Sequence, residues 1–225
     1  MPKMHENFHE QKREQILDVA MRIALEKPLP HISMKDLIRS CGVSQGAIYH
    51  YFSGLDEIWL GLIERFYRAD DVLEHMRQVL EQRLSPQQAA RRCLWELCEN
   101  LRRTIPLYGK LIMELNTLIQ ANPAQYGSLA DVESMHSRLD GMLMLFEDWF
   151  REQIEAGSIV PRVGLEQICL YLCSSYLGLR YHASALHLQP ALSDTGLDKY
   201  LDTQLQSWQM TVLYLLGLEE TDETT

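Results

Sequence analysis

Residues 42–52 read GVSQGAIYHYF. The segment before them opens Ser33-Met34-Lys35-Asp36. That Ser-x-x-Asp start is close to a capping box, although aspartate reaches back less well than glutamate. A short helix is expected from there to about Cys41, ending at Gly42, because a left-handed residue closes a helix most readily when it is glycine. Ser44 then offers an N-cap oxygen to a second short helix, Gln45–Tyr51. Two short helices joined by a tight turn at glycine, with an earlier helix to pack against, make a helix-turn-helix.

The apolar positions around this stretch fit that arrangement. In the preceding pattern, Glu10–Lys27, residues Ile16, Ala20, Ile23 and Ala24 share one stripe, with Leu17 and Met21 beside it. Leu37, Ile38, Val43 and Ile48 have the spacing to meet that stripe in a small core, with Tyr51 and Phe52 flanking it. Two outward ridges remain at i, i+4: Gln45 with Tyr49, and Gly46 with His50. Gln45 has the amide to read an adenine edge, His50 can donate to a base or phosphate, and Tyr49 can stack on sugar or bond a phosphate. Gly46 costs a helix about 1 kcal/mol relative to alanine. It also lets a foreign backbone approach closely.

Outward from this motif the chain reads as all-α. Strand alternation and Asn-Gly hairpin turns are missing. Ser53-Gly54-Leu55-Asp56 repeats the Ser-x-x-Asp start and opens a long helix expected over Leu55–Arg83. Further helices are expected over Gln87–Arg103, Pro106–Ala121, Ala130–Ala156, Leu165–His187 and Leu197–Leu218, broken at Thr104–Ile105, Asn122–Pro123, Gly157–Pro161 and Gln189–Gly196. The resulting organisation, of about nine helices, is a reading head over residues 1–53, a helical body over 54–218 and a disordered acidic tail over 219–225.

The net charge of −10 argues against a polyanion as partner until its distribution is considered. Residues 1–52 sum to +1 and residues 53–225 to −11, so nucleic acid would approach at the N-terminal end. Unbroken apolar runs are far shorter than the ~20 residues of a membrane span. The polar N-terminus has no h-region, and a cytoplasmic location is expected. Five cysteines without a C-x-x-C pair read as small buried apolar residues. His5-Glu6-Asn7-Phe8-His9 spells H-E-x-x-H, but a dry, shaped metal cavity is not expected five residues from a terminus, so no metal and no cofactor are assigned. No nucleophile elbow or phosphate loop is present, and the chain is not read as an enzyme.

From about Gln11 to Ile63 the sequence resembles the DNA-binding domain of the TetR family of transcriptional regulators. The matching residues are RIALEK at the end of the first helix, ISMKDLIRSCGVSQGAIYHYF, and LDEI at the start of the fourth. The resemblance implies an all-α homodimer. It places Ser33 and Lys35 at phosphate and groove edge, and Gln45, Ala47, Tyr49 and His50 in the major groove. Tyr49 and Tyr51 would also reach the backbone, with Ser44 and Gly46 completing the DNA-binding set. One departure is Leu55, where the family commonly has a phosphate-reaching lysine. Lys12, Arg13 or the N-terminal arm can supply that contact instead.

The family also implies a small-molecule pocket in the helical body. Candidate lining residues are Tyr67, Trp95, Tyr108, Met113, Trp149, Tyr171 and His182, with Tyr181, Asn116 and Gln120 nearby. Leu165–His187 and Leu197–Leu218 are apolar nearly all round, as suits helices covered by both their own subunit and a two-fold mate. The expected function is a repressor that binds a palindromic double-stranded operator as a dimer and is released by a small-molecule effector. The alternative is an all-α adaptor or sensor that binds no DNA.

Overall fold

In the computed structural model, the described residues are 2–69, 71–124, 126, 133–188 and 194–219, with side chains described for 8–68, 71–124, 126, 141–188 and 198–219. Every regular element among them is helical. They are α1 (Pro2–Glu26), a 3-10 turn (Leu29–His31), α2 (Met34–Cys41), α3 (Gln45–Tyr49), α4 (Leu55–Ala69), α5 (Val72–Leu80), α6 (Pro86–Ala121), α7 (Glu133–Glu155), α8 (Leu165–His187) and α9 (Asp194–Leu215). They fall into two compact units that interleave in sequence: Met1–Ala69 with Lys110–Met135, and Asp70–Gly109 with His136–Thr225. Residues 86–109 of α6 therefore belong to one unit and residues 110–121 to the other. The expected acidic tail beyond residue 219 lies outside the described residues.

The first unit is built on α1, which packs against α2 and α4. Ile16, Leu17, Ala20 and Ala24 bury its inner stripe, against Leu37, Ile48, Phe52, Ile58 and Leu62. The helix starts at Pro2, earlier than the expected Glu10, so His9 stands on the helix with Lys12 and Arg13. Gly61 of α4 marks the close approach to α1, since a Cβ there would lie 3.0 Å from Leu17 Cδ2 and 3.3 Å from Arg13 Nη2. Arg65 ties the same pair of helices, donating to Glu14 Oε2 at 3.0 Å, to the Glu14 carbonyl at 3.0 Å and to Asp18 Oδ1 at 2.8 Å.

The C-terminal end of α1 is closed by residues of α6. Lys110 Nζ donates to the Ala24 carbonyl and, at 3.1 Å, to the Lys27 carbonyl. Glu114 accepts the Leu29 N–H at 2.7 Å and pairs with Lys110 at 2.8 Å. Carbonyls of a last helical turn have no partner within their own helix, and the partly buried Lys110 ammonium answers that need.

Two expectations about helix breaks are corrected. The single helix Leu55–Arg83 is interrupted between Ala69 and Val72. Aspartate competes with helical hydrogen bonding and prefers helix starts. Asp71 there accepts from Arg103 Nη2 at 2.6 Å and lies 3.3 Å from His75 Nε2. Conversely, the expected break at Thr104–Ile105 does not occur, and α6 runs through Pro106. An interior proline costs a helix about 3 kcal/mol. Burial of Leu97, Leu101, Ile105 and Tyr108 at helical spacing on both sides of the ring outweighs it.

The second unit gathers its core from α5 to α9, including Met76, Leu94, Leu97, Phe146, Phe150, Leu172, Trp208 and Leu216. Within it sits a buried polar cluster. The Asn100 side-chain oxygen accepts from Tyr176 OH at 3.0 Å and from Arg180 Nη2 at 2.9 Å, and its carbonyl accepts from Thr104 Oγ1 at 2.7 Å. Gly109 lets α6 approach α8 there, because a Cβ would fall 2.6 Å from Ser184 Oγ.

Candidate functional site

The reading head is assembled by short-range chemistry. Ser33 completes a reciprocal capping box: its Oγ accepts the Asp36 N–H at 3.3 Å, and Asp36 Oδ2 accepts the Ser33 N–H at 2.9 Å. Aspartate thus reaches back as well as glutamate here. It is held in place by Lys27 at 3.0 Å and Arg39 at 3.1 Å. The Ser33 hydroxyl first, and the Lys27 ammonium second, hold the Asp36 carboxyl well below the usual carboxylate range. Gly42 closes α2 at φ 64°, ψ 24°, a left-handed conformation that a Cβ disfavours.

Ser44 caps α3 by accepting the Ala47 N–H at 3.2 Å. The helix ends at Tyr49 rather than Tyr51, and the chain leaves it in a turn whose Tyr51 and Phe52 N–H groups both donate to the Ile48 carbonyl at 3.0 Å. Ile48 and Phe52 are buried, Ala47 and Tyr51 half-buried, and Gln45, Gly46, Tyr49 and His50 exposed, with Tyr49 at 44%. Both ridges expected from the sequence therefore face outward. Ser33 and Lys35 are both exposed at the start of α2. A Cβ on Gly46 would meet nothing within 4 Å, so no packing inside the protein calls for glycine there. Leu55, at the place of the family lysine, is half-buried.

His9 was not named among the residues expected at this surface, although the N-terminal arm that carries it was. Its ring centroid lies 4.6 Å from that of Tyr51 and 5.5 Å from that of His50. In the sequence it stood out only as the second histidine of the H-E-x-x-H spacing, in a segment expected to precede the helix. Among the described residues, no group of three or more His, Cys, Asp or Glu side chains is disposed to hold a metal ion.

The seven effector positions read from the sequence are divided between the two units. Tyr67 is buried and Met113 half-buried in the first. In the second, Tyr108 is buried, Trp149 packs on Phe150, and Trp95 lies exposed with the Arg92 guanidinium 4.2 Å from its ring. Tyr171 and His182 share one face of α8 and line an open groove of about 330 Å³ between α8 and α9 with Ser175, Tyr200 and Trp208. His182 Nδ1 is hydrogen-bonded to Tyr200 OH, and Trp208 Nε1 donates to Ser175 Oγ at 2.7 Å. Burial pushes the Cys93 and Cys98 thiols up to about 12, so both are inert core residues.

A capped pair of short helices, packed on a third and presenting polar and aromatic side chains to solvent, is the reading head of a helix-turn-helix DNA-binding protein. Residues 16–60 match the family model described as "Bacterial regulatory proteins, tetR family", and this N-terminal domain belongs to the TetR family. The chain is 29% identical over 105 residues to the HTH-type transcriptional regulator PksA of Bacillus subtilis (strain 168), a match covering 47% of this chain and 49% of PksA. The chain thus spans about half the length of that curated relative.

The whole fold is shared more widely. Salmonella enterica GusR superposes with a TM-score of 0.63 at 18% identity, covering 92% of this chain and 96% of GusR. The ketosteroid transcriptional regulator KstR2 of Mycobacterium tuberculosis does so with a TM-score of 0.57 at 16% identity, covering 87% and 93%. At such identities the likeness is one of fold. Regulators of this family are not enzymes.

Proposed function

We propose that the chain is a transcriptional repressor that binds a palindromic operator as a homodimer and is released by a small-molecule effector. The observation that carries this reading is the outward face of α3. Gln45, Gly46, Tyr49 and His50 are exposed while Ile48 beneath them is fully buried. Folding alone has no use for a glycine with open space around it beside an exposed tyrosine. A groove edge has use for both.

The two-fold contact is assigned to α8 and α9. Leu170, Leu177 and Tyr181 on α8 and Met210 and Tyr214 on α9 are exposed large apolar side chains at helical spacing, a pattern that marks a surface meant to be covered. Two-fold symmetry then sets two α3 helices against half-sites about one helical turn apart. Tyr171 and His182 are retained as effector contacts because they line the same groove. A ligand there sits beside the helices of the two-fold contact. By linkage it weakens DNA binding by its differential affinity, typically about 1–3 kcal/mol. The absence of any described helix long and apolar enough to cross a membrane is compatible with a cytoplasmic regulator.

A gel shift with the DNA upstream of the chain's own gene tests the reading. Tyr49→Ala and Gln45→Ala should each abolish or weaken the shift while leaving helicity unchanged. A wild-type protein that shifts no candidate operator at low salt is the outcome that sinks it, and would favour the adaptor. A thermal screen of small metabolites tests the effector site. A ligand at about a hundred times its Kd adds about 2.7 kcal/mol, and His182→Ala should remove that gain.

A further inference from the structure

We propose that the groove between α8 and α9 takes an uncharged, hydroxyl-rich ligand about the size of a monosaccharide. This deepens the effector reading above and rests on it. The groove has about 330 Å³ of room, at the low end of the roughly 300–1,000 Å³ of small-molecule sites. Its lining, among the described residues, includes no Asp, Glu, Lys or Arg. Charged residues that flank the lining in sequence are engaged or turned elsewhere. Arg180 donates to Asn100 at 2.9 Å in the buried polar cluster, and Asp202 pairs with Arg102. Asp198 and Lys199, just before Tyr200, are exposed and lie outside the lining. A fully charged ligand would give up water on the protein side and meet no opposite charge in return.

What the lining does offer is hydrogen-bond acceptors. Ser207 Oγ donates to the Thr203 carbonyl at 2.9 Å, and Thr211 Oγ1 donates to the Ser207 carbonyl at 2.9 Å. Each hydroxyl has a single hydrogen, so both hydrogens are spent on their own helix and the oxygens are left to the groove as acceptors. Ser175 Oγ likewise donates to the Tyr171 carbonyl, and it accepts Trp208 Nε1 at 2.7 Å, which ties α8 to α9 beneath the groove. Gln204 adds an amide that both donates and accepts. On α8, His182 Nδ1 is bonded to Tyr200 OH, so Nε2 is the ring atom that a ligand can use. Burial raises the Tyr200 hydroxyl further above its ordinary range, and it stays neutral.

Acceptors at one-turn spacing on α9, with an imidazole on α8, match a molecule that donates from several neighbouring hydroxyls. An anion presents no donors to them, and neither does a quaternary ammonium. The half-buried rings of Tyr171 and Tyr200 give apolar surface to the C–H face of a sugar-like ring. A ligand held this way bonds to both helices at once. The apolar side chains assigned to the two-fold contact, Leu170 and Leu177 on α8 and Met210 on α9, stand on those same helices.

The test is calorimetric titration of the full chain with the methyl glycosides of glucose, galactose, mannose and xylose, and with myo-inositol. Each is taken to about 10 mM, which nearly saturates a site with a Kd below ~1 mM. Glucose 6-phosphate, glucosamine and choline are the charged counterparts. At least one neutral polyol should bind, with the charged compounds at least about tenfold weaker. Gln204→Leu and Thr211→Val, which keep the bulk of the wall, should each weaken that binding by about three- to tenfold. Thr117→Val removes a hydroxyl of the same kind from α6 in the first unit and should change nothing. Binding of no neutral polyol, or tighter binding of a charged counterpart, overturns the inference. If the two groove variants nonetheless weaken a charged ligand, only the ligand class falls and the groove keeps its effector role. If a polyol binds both variants as tightly as it binds wild type, the inference and the groove's effector role fall together.

Discussion

Glycines 42 and 46 stand four residues apart and make opposite demands. Gly42 has a left-handed backbone and open space around the position of a Cβ, so substitution there strains the chain without a clash. Gly42→Ala should cost about 1–2 kcal/mol of stability in urea unfolding. Gly46 has ordinary helical geometry and equally open surroundings. Gly46→Ala should therefore stabilise the fold by up to about 1 kcal/mol, yet weaken operator binding in the gel shift. Loss of stability in Gly46→Ala would show that the glycine serves the fold. Asp36 carries a pH signature at the same scale. Its carboxyl titrates lower in the folded state than in the unfolded chain, so its contribution is fully present above about pH 4. That contribution is lost as pH falls through the lower folded-state value. Acid unfolding of wild type and Asp36→Asn should accordingly converge at low pH and separate above about pH 4.

At the scale of elements, local signals located most helices and misplaced the breaks that depend on distant partners. Ser33, Gly42 and Ser44 announced α2 and α3 because a cap is chemistry within three residues. Pro106 suggested a break by the same local logic, and the flanking burial in α6 overrode it. The interruption before α5 coincides with Asp71 meeting Arg103, thirty-two residues away. The closure of α1 by Lys110 is likewise invisible locally, because the donor lies eighty-three residues beyond the Lys27 carbonyl. Lys110→Met should leave buried carbonyls unanswered and destabilise the protein by about 1–3 kcal/mol. Hydrogen exchange should report faster opening at the last turn of α1, with α8 unaffected. Unchanged protection of that turn would show that water replaces the ammonium.

For the whole molecule, the proposed two-fold assembly rests on surfaces that the monomer leaves uncovered. Leu170, Leu177 and Tyr181 on α8 have no core of their own to join. Leu170→Glu combined with Leu177→Glu should shift sedimentation from dimer to monomer and reduce operator affinity sharply, with far-UV helicity retained. A wild-type chain that sediments as a monomer at micromolar concentration, with and without operator, would remove the two-fold mechanism. The same scale explains why the effector residues were poorly legible. Tyr67, Trp95, Tyr108 and Trp149 looked alike as aromatics at helical spacing, but two are buried, one is half-buried against Phe150 and one is exposed beneath Arg92. Periodicity gives the side of a helix on which a residue lies and is silent on what stands opposite.

The order of residues by itself determined the all-helical character, the capped pair α2–α3 and the outward face Gln45–Gly46–Tyr49–His50, because each rests on contacts within a turn or two of chain. Tertiary structure alone decided the interleaving of the two units, the passage of α6 through Pro106, the meeting of His182 with Tyr200, and the meeting of His9 with His50. Those features bring together residues separated by 18 positions or more. Their energies come from burial and pairing between elements, which no local pattern encodes.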